Sequence, residues 1–212
     1  MKTFITIIPR QREGQLSLTQ YIPAMCDELA YGKTRFPIVP VIAHHAAKEK
    51  KIRILPVIQD NEWVKHNFEK HFLDEVKTLE STLDVMAEMI PISVPDSESI
   101  DTHLKLFSDV IEKIEDGSRL HACATYGTKP ASNVISLALS YAYRLKKDVT
   151  VERIVYGQFL HRVEDGAVGT LYDTTPLFFM DAIVNRLAEA RAHNPERAIR
   201  LMLGLEQAEG DE

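Results

Sequence analysis

Residues 124–132 (ATYGTKPAS) combine the side-chain types that bind anions at the start of a helix. The candidate ligand contacts in this segment are Thr125, Tyr126, Gly127, Thr128, Lys129 and Ser132. Glycine permits a tight turn, and Pro130 suits a first helical turn because the N–H that proline lacks would have no partner there. Free backbone N–H groups and the helix dipole at such a turn attract phosphate or carboxylate. The spacing fits equally well an ordinary strand-to-helix turn that a threonine caps.

A second candidate loop follows the first apolar run and contains Pro9, Arg10, Gln11 and Arg12. The guanidinium forks of arginine suit phosphate oxygens, and a glutamine amide suits the edge of a nucleobase. The alternative is a solvated, charged loop without a ligand. Both loops are predicted to follow parallel strands, and open α/β sheets bind their ligands at the carboxyl ends of strands. Each loop therefore supports the functional interpretation of the other.

The remaining polar motifs favour structural roles. Asp173 or Thr174 is expected to cap a helix that begins near Pro176. The histidines lack the i,i+4 spacing that places two metal ligands on one helical face, and His121, inside a strand, is expected to pack rather than to bind a metal. Neither a metal nor a cofactor is predicted.

Apolar runs rich in Ile and Val alternate with helical patterns, as is typical of an α/β domain with a mostly parallel sheet. Strands are predicted at residues 3–8, 52–58, 89–94, 120–125 and 149–157. Helices are predicted at residues 38–47, 62–83, 100–115 and 131–145, with two more from about 176 and after 195. Asp165 and Gly166 predict a hairpin at an edge of the sheet. The predicted fold is a Rossmann-like, mostly parallel sheet flanked by helices on both faces, with a C-terminal hairpin and helix.

The length and composition limit the function classes. The 212 residues fit a single domain, 1–205, with a charged and frayed tail at 206–212. A net charge of −6 argues against broad binding to long DNA or RNA, but it leaves room for a compact anion site. Cys26 and Cys123 are expected to be buried free thiols of a cytoplasmic protein. No apolar stretch is long enough to span a membrane.

The order of these motifs resembles the CRISPR-associated Rossmann-fold (CARF) domain over almost the whole chain. In the branch that it resembles, the fourth strand ends in a Thr-His-Gly-Phe-Arg turn, the fifth strand ends in Tyr-Gly, and Asp-Leu-Thr precedes a helix. The corresponding residues here are 125–129 (TYGTK), 156–157 (YG) and 173–175 (DTT). Tyr126, Thr128 and Lys129 stand where those domains have histidine, an aromatic residue and arginine.

The resemblance implies a homodimeric sensor of cyclic oligoadenylates in type III CRISPR antiviral defence. Two copies related by a two-fold axis would bind opposite halves of one ring through both candidate loops. Cyclic tetra-adenylate is favoured, and cyclic hexa-adenylate is the other candidate. The chain would be either a standalone CARF protein or the sensor of a larger effector, because no effector domain fits after the fifth strand.

Two alternatives stay open at this point, as does whether the chain is an enzyme. The first is a standalone, metal-independent ring nuclease in which Lys129 and the threonine hydroxyls stabilise attack by a ribose 2′-hydroxyl on its neighbouring phosphate. The second is an unrelated α/β protein that binds a mononucleotide. Tyr126 would either stack on adenine or pack beneath the turn.

Overall fold

The structure, a computed structural model, describes residues 1–164 and 166–205. Its internal contacts divide the chain into two compact units, one ending at Thr175 and the other beginning at Pro176. The first unit contains the sheet and five helices, and the second consists mainly of two helices. The predicted tail at 206–212 lies outside the described residues, and the domain boundary at residue 205 stays a prediction.

Nine strands, counted over the described residues, form one mostly parallel sheet. They are β1 (Lys2–Ile7), β2 (Thr19–Ala24), β3 (Lys33–Thr34), β4 (Lys51–Gln59), β5 (Met86–Met89), β6 (Ile92–Val94), β7 (Arg119–Cys123), β8 (Thr150–Val163) and β9 (Gly166–Asp173). Their order is β3-β2-β9-β8-β7-β1-β4-β5, and β6 also pairs with β4. Only the β2–β3 and β8–β9 pairs are antiparallel. This is a Rossmann-like α/β fold, which confirms the predicted fold class.

Among the described residues, five helices cover both faces of the sheet in the first unit, and the second unit contains two further helices. They are α1 (Ile38–Ala46), α2 (Glu62–Asn67), α3 (Leu73–Leu83), α4 (Ile100–Lys113), α5 (Lys129–Leu145), α6 (Thr175–Glu189) and α7 (Pro195–Met202). A π-helical segment, Phe68–Phe72, joins α2 to α3. In the first unit, α1 packs on β1 and α3, whereas α4 packs on α5, as right-handed crossovers on either side of β1 require. Phe36 and Phe72 meet edge to face beneath α1 and α3, with ring centroids 5.0 Å apart.

The first strand lies at the point where the direction of the sheet reverses. After β1 the chain forms β2 and β3 at the far edge of the sheet and then passes through α1 to β4 on one side of β1. Strand β7 later adds to the other side of β1. The loops that leave β1 and β7 therefore diverge, and a crevice opens between them at the carboxyl ends of these strands. Residues 8–12 and 124–128 form these two loops.

The predicted hairpin forms, but the prediction that it lies at an edge of the sheet was wrong. Strands β8 and β9 pair antiparallel, and Asp165 at their turn lies outside the described residues. Strand β9 also pairs with β2 in the region expected to be irregular. Pro23 hid this strand, because proline is normally kept out of strand interiors. Since β3 pairs only with Thr19 and Gln20, the half of β2 that contains Pro23 borders β9 alone.

The strand predicted at 89–94 is two strands. Strand β5 ends at Met89 and β6 begins at Ile92, with Pro91 between them. Proline has no N–H to donate to the ladder, so the pairing with β4 is interrupted there. The other predicted strands and helices form with ends that shift by a few residues.

Candidate functional site

The two loops that the sequence singled out meet in one cleft at the carboxyl ends of β1 and β7. The cleft has a volume of about 650 Å³, within the range of about 300–1,000 Å³ that small-molecule sites occupy. Among the predicted ligand contacts, its lining includes Arg10, Gln11, Arg12, Thr125, Tyr126, Gly127 and Thr128. Pro9 is buried, and Lys129 and Ser132 lie in the first turn of α5 outside the lining.

The turn between β7 and α5 depends on Gly127. Its φ of +97° is one that side-chain-bearing residues rarely adopt. A Cβ at this position would lie 2.7 Å from Cδ1 and 3.0 Å from Cγ2 of Ile7, near the end of β1. The absence of a side chain therefore lets the two candidate loops approach each other closely.

Thr128 caps α5 and ends the turn. Its hydroxyl accepts a hydrogen bond from the N–H of Ala131 at 3.3 Å and donates one to Glu98 at 2.8 Å. The capping role expected of a threonine at this turn is thus present in the structure. Lys129 is exposed and has no hydrogen-bond or ion-pair partner in the part of the chain that the structure describes. Because it lies outside the cleft lining, no contact favours a catalytic role for it.

Thr125 and Tyr126 hold the turn against the rest of the sheet. The Thr125 hydroxyl accepts a hydrogen bond from the N–H of Gly157 at 2.7 Å, which joins two of the motifs noted in the sequence. The Tyr126 hydroxyl donates to the carbonyl of Arg35 at 2.8 Å, and its ring packs on the apolar core. Burial raises the pKa of Tyr126 well above its ordinary value, so the phenol stays neutral. These contacts correspond to packing beneath the turn, one of the two roles expected for Tyr126.

A buried amide fixes the loop that follows β1. Asn67, at the end of α2, is only 1% exposed. Its Nδ2 donates to the carbonyl of Pro9 at 3.0 Å and to that of Gln11 at 2.8 Å. The backbone of the arginine loop is therefore held by a helix on the same face of the sheet as α1.

Replacing Asn67 by alanine is expected to lower the free energy of unfolding by about 2–3 kcal/mol, because both carbonyls lose their buried donor. Urea unfolding followed by circular dichroism measures this change. The matched control is Asn185→Ala, since Asn185 is partly exposed on α6 and its amide donates to Asp181, one helical turn away. A loss for Asn67→Ala no larger than that of the control would contradict this role.

The cleft carries charges of both signs. Arg10 forms an ion pair with Asp96, with Nη2 and Oδ2 2.8 Å apart, and Asn61 donates to the same oxygen at 3.1 Å. The exposed Arg12 side chain has no hydrogen-bond or ion-pair partner among residues 1–164 and 166–205. Glu62 also lines the cleft. An anion here would therefore depend on Arg12 and on backbone N–H groups rather than on a broad positive field.

Gln11 contributes an acceptor that the described protein does not satisfy. Its Oε1 is buried and has no hydrogen-bond partner among the described residues. Buried polar atoms are nearly always paired, and an exception in a cleft often marks a ligand contact. Because Gln11 lines the cleft, a rotation of its side chain would present this acceptor to an N–H group of a ligand.

Comparison of the sequence with known proteins does not identify a family. The sequence matches no protein-family model and no curated protein. Among the described residues, no helix combines the length and apolar character that a membrane span requires. The chemistry of the cleft and the resemblance of the motif order to that of CARF domains are therefore the grounds on which a function can be inferred.

Sequence reasoning missed the wall that follows β4. Its cleft-lining residues are Gln59, Asn61, Glu62 and Trp63. The rule that pointed to the loops after β1 and β7 applies equally to β4, whose carboxyl end lies beside that of β1. Trp63 falls inside the helix predicted at 62–83, where no ligand contact was expected. The Asn61 side chain accepts a hydrogen bond from the N–H of Trp63 at 3.0 Å, and this cap starts α2 with Trp63 in the cleft wall.

The motif at residues 173–175 has a structural role. The Asp173 carboxylate accepts hydrogen bonds from the N–H of Thr175 at 2.9 Å and from its hydroxyl at 2.5 Å. The same carboxylate forms an ion pair with Arg153. Asp173 therefore stabilises the start of α6, as the sequence suggested, and it is not among the residues that line the cleft.

Proposed function

We propose that this chain is a homodimeric sensor that binds a cyclic oligoadenylate in the cleft between the β1 and β7 loops. Cyclic tetra-adenylate is the favoured ligand, and cyclic hexa-adenylate is the other candidate. The observation that carries the proposal is the meeting of residues 10–12 and 125–128 in one cleft at the reversal point of the sheet. Residues 125–128 also belong to the first of the three motifs that carry the resemblance to CARF domains.

The phosphates of the ring would be held from two sides. Arg12 offers a guanidinium that has no protein partner among the described residues. The turn at Gly127 brings the ligand close to the start of α5, where the helix dipole favours an anion. A cyclic oligonucleotide carries one charge per nucleotide, so a few well-placed donors suit it better than a large basic surface.

Adenine recognition would use Gln11 and Trp63. Adenine presents an amino donor beside a ring-nitrogen acceptor, and a glutamine amide can bind both. The unsatisfied Oε1 of Gln11 supplies the acceptor for that amino group. Trp63 supplies an aromatic surface in the opposite wall, on which a base can stack.

The second copy of the chain would dock on the groove between α4 and α5. This groove has a volume of about 610 Å³ and is predominantly apolar. Four of its large side chains are more than half exposed: Ile100, Leu104, Leu137 and Leu145. Pro130 and Asn133, in the first turns of α5, line its end beside the cleft turn. A two-fold axis along this groove would bring two clefts next to each other around one symmetric ring.

Leu137→Asp is expected to convert the dimer into a monomer. Two symmetry-related leucines would each lose about 1.5–3 kcal/mol of apolar burial, which weakens association at least about 100-fold. Light scattering after size-exclusion chromatography measures the mass. Leu177→Asp, at an exposed position on α6, is the control and should leave the dimer intact. A wild-type monomer, or a dimer unaffected by Leu137→Asp, would contradict the proposed interface.

In the cell, the proposed role is a cytoplasmic sensor in type III CRISPR antiviral defence. Ring binding across the two-fold axis would change the arrangement of the two chains and thereby regulate an effector, either attached or separate. The ring is a symmetric ligand that only the dimer can enclose, so its binding energy is available to favour one arrangement of the subunits.

The fluorescence of Trp63 tests this function, because Trp63 is the single tryptophan of the sequence and lines the cleft. The wild-type protein is titrated with cyclic tetra-adenylate, cyclic hexa-adenylate, linear tetra-adenylate and ATP. A saturable change with a ring, at concentrations where ATP and the linear chain have no effect, is the expected result. No change with either ring would contradict the proposal, and an equal response to ATP would favour a mononucleotide-binding protein.

A further inference from the structure

Three potential metal ligands converge away from the cleft, toward the amino-terminal ends of the strands. His45 lies near the end of α1, His121 in β7 and Glu152 in β8. One ligand atom from each lies within 4.8 Å of the others. The three residues are far apart in sequence, which is why the spacing of the histidines gave no indication of the cluster.

His121 is held in the orientation and tautomer that a metal ligand needs. Its side chain is fully buried and stacks on Phe4, with ring centroids 4.7 Å apart. Its Nδ1 lies 3.2 Å from the carbonyl oxygen of Arg119, which can only accept, so Nδ1 carries the proton. The lone pair is therefore on Nε2. Metal-binding histidines typically donate their other N–H to a carbonyl or carboxylate in this way.

The Nε2 atoms of His45 and His121 are both buried and have no hydrogen-bond partner among the described residues. Burial lowers the pKa of His121 to about 3 and that of His45 to about 4. Each imidazole therefore has a buried nitrogen that no described group satisfies and that a cation could bind.

Glu152 brings a carboxylate to the same point. Its Oε1 accepts a hydrogen bond from Nε of Arg119 at 2.5 Å, which orients the group. Its Oε2 lies 3.2 Å from Nε2 of His121. Since that nitrogen carries no proton, two lone pairs face each other across this distance. A cation between them would turn the repulsion into coordination.

We propose that His45, His121 and Glu152 bind one divalent transition-metal ion of the Zn²⁺ class, with a fourth position open to water. Two imidazole nitrogens and one carboxylate oxygen are a typical zinc ligand set. Ligand atoms around tetrahedral zinc lie about 3.3 Å apart at bond lengths of about 2.0–2.1 Å. The three ligand atoms, which now lie within 4.8 Å of one another, would therefore have to move only a short distance closer together to bind the ion. The site is separate from the ring-binding cleft and does not depend on the proposed function.

The surrounding charges permit a cation. His45 lies at the carboxyl-terminal end of α1, which carries the negative end of the helix dipole. Lys2 donates to the carbonyl of His45 at 2.6 Å and is neutralised by Glu49 at 3.0 Å. Arg119 is paired with Glu152, and Arg153 with Glu28 and Asp173. Glu152 and His45 are partly exposed, which gives an ion a path to the site.

Metal binding by the intact chain tests the proposal. Protein stripped with a chelator is titrated with Zn²⁺ by calorimetry, and Co²⁺ replaces it to report coordination by visible absorption. His45→Gln and Glu152→Gln each remove one partly exposed ligand and spare the buried His121. The control His44→Gln changes the exposed neighbour. His71→Gln controls for the surface pair His66 and His71, whose ring centroids are 5.6 Å apart.

The expected result is one Zn²⁺ per chain, a tetrahedral Co²⁺ spectrum, and affinity lowered on the order of 100-fold by His45→Gln and by Glu152→Gln. His44→Gln and His71→Gln should keep the wild-type affinity. Absence of stoichiometric binding would overturn the proposal. Binding that survives both ligand variants, or that is lost equally in a control, would overturn it as well. A thermal unfolding midpoint raised by Zn²⁺ in the wild type alone would support it, provided that both ligand variants are folded.

Discussion

Replacing Arg12 by glutamate is expected to weaken the binding of cyclic tetra-adenylate at least about 100-fold. Arg12 is the cleft arginine without an ion-pair partner among the described residues, whereas Arg10 is already paired with Asp96. Hydrogen bonds to charged groups contribute about 1.5–3 kcal/mol each, and the two-fold site loses two such sets. The new carboxylates would also repel the phosphates. Isothermal titration measures the loss.

The control for Arg12→Glu is Lys77→Glu, which makes the same charge change on α3, where the side chain of Lys77 is 71% exposed. It should leave affinity within about two-fold of wild type, because charges beyond about 10 Å are screened at ordinary salt. Arg12→Lys should fall between the two, since lysine keeps the charge but loses the fork that binds two oxygens. If Arg12→Glu binds cyclic tetra-adenylate with wild-type affinity, Arg12 does not contact the ligand.

Gly127→Ala is expected to lower the free energy of unfolding by about 2–5 kcal/mol and to weaken ligand binding as well. The left-handed backbone costs an alanine about 1–2 kcal/mol. The clash of its Cβ with Ile7 adds about 1–3 kcal/mol, as overpacking in a buried region does. Because Ile7 precedes the arginine loop, the clash separates the two walls of the cleft. Urea unfolding and ring titration measure the two effects.

Gly117→Ala separates the two causes. Gly117 also has a positive φ, +72°, but a Cβ there meets nothing within 4 Å. Its variant should lose only the backbone contribution and should bind the ring normally. Combining Gly127→Ala with Ile7→Val removes part of the clash and should recover part of the binding. Equal losses of stability in the two alanine variants would show that contact with Ile7 is unimportant.

The centre of the sheet was predictable because strands β1, β4 and β7 are almost wholly buried. Strands β1, β4 and β7 appear in the sequence as short apolar runs, and residues 62–83 show a helical apolar face that starts at a capping asparagine. Strand β2 was not predictable in the same way. It contains Pro23 and a polar half, and its position follows from pairing with β9, which lies more than 140 residues away in sequence.

The candidate site was predictable where it depends on one segment and not where it depends on contacts between segments. The turn at Gly127 and the arginine loop are local patterns. The clamp by Asn67 and the ion pair of Arg10 with Asp96 join segments that are 56 to 86 residues apart. The same reason explains the cluster of His45, His121 and Glu152, since helix α1 and two strands bring these three residues together and no local spacing marks them.

Calorimetric titration of the wild-type chain with cyclic tetra-adenylate and cyclic hexa-adenylate tests the central claim most directly, because it gives affinity and stoichiometry together. The predicted result is a Kd below about 1 μM for one of the rings, with one ring bound per two chains. Binding of neither ring at a hundred-fold higher concentration, or one ring bound per monomeric chain, would contradict a two-fold cyclic oligoadenylate site.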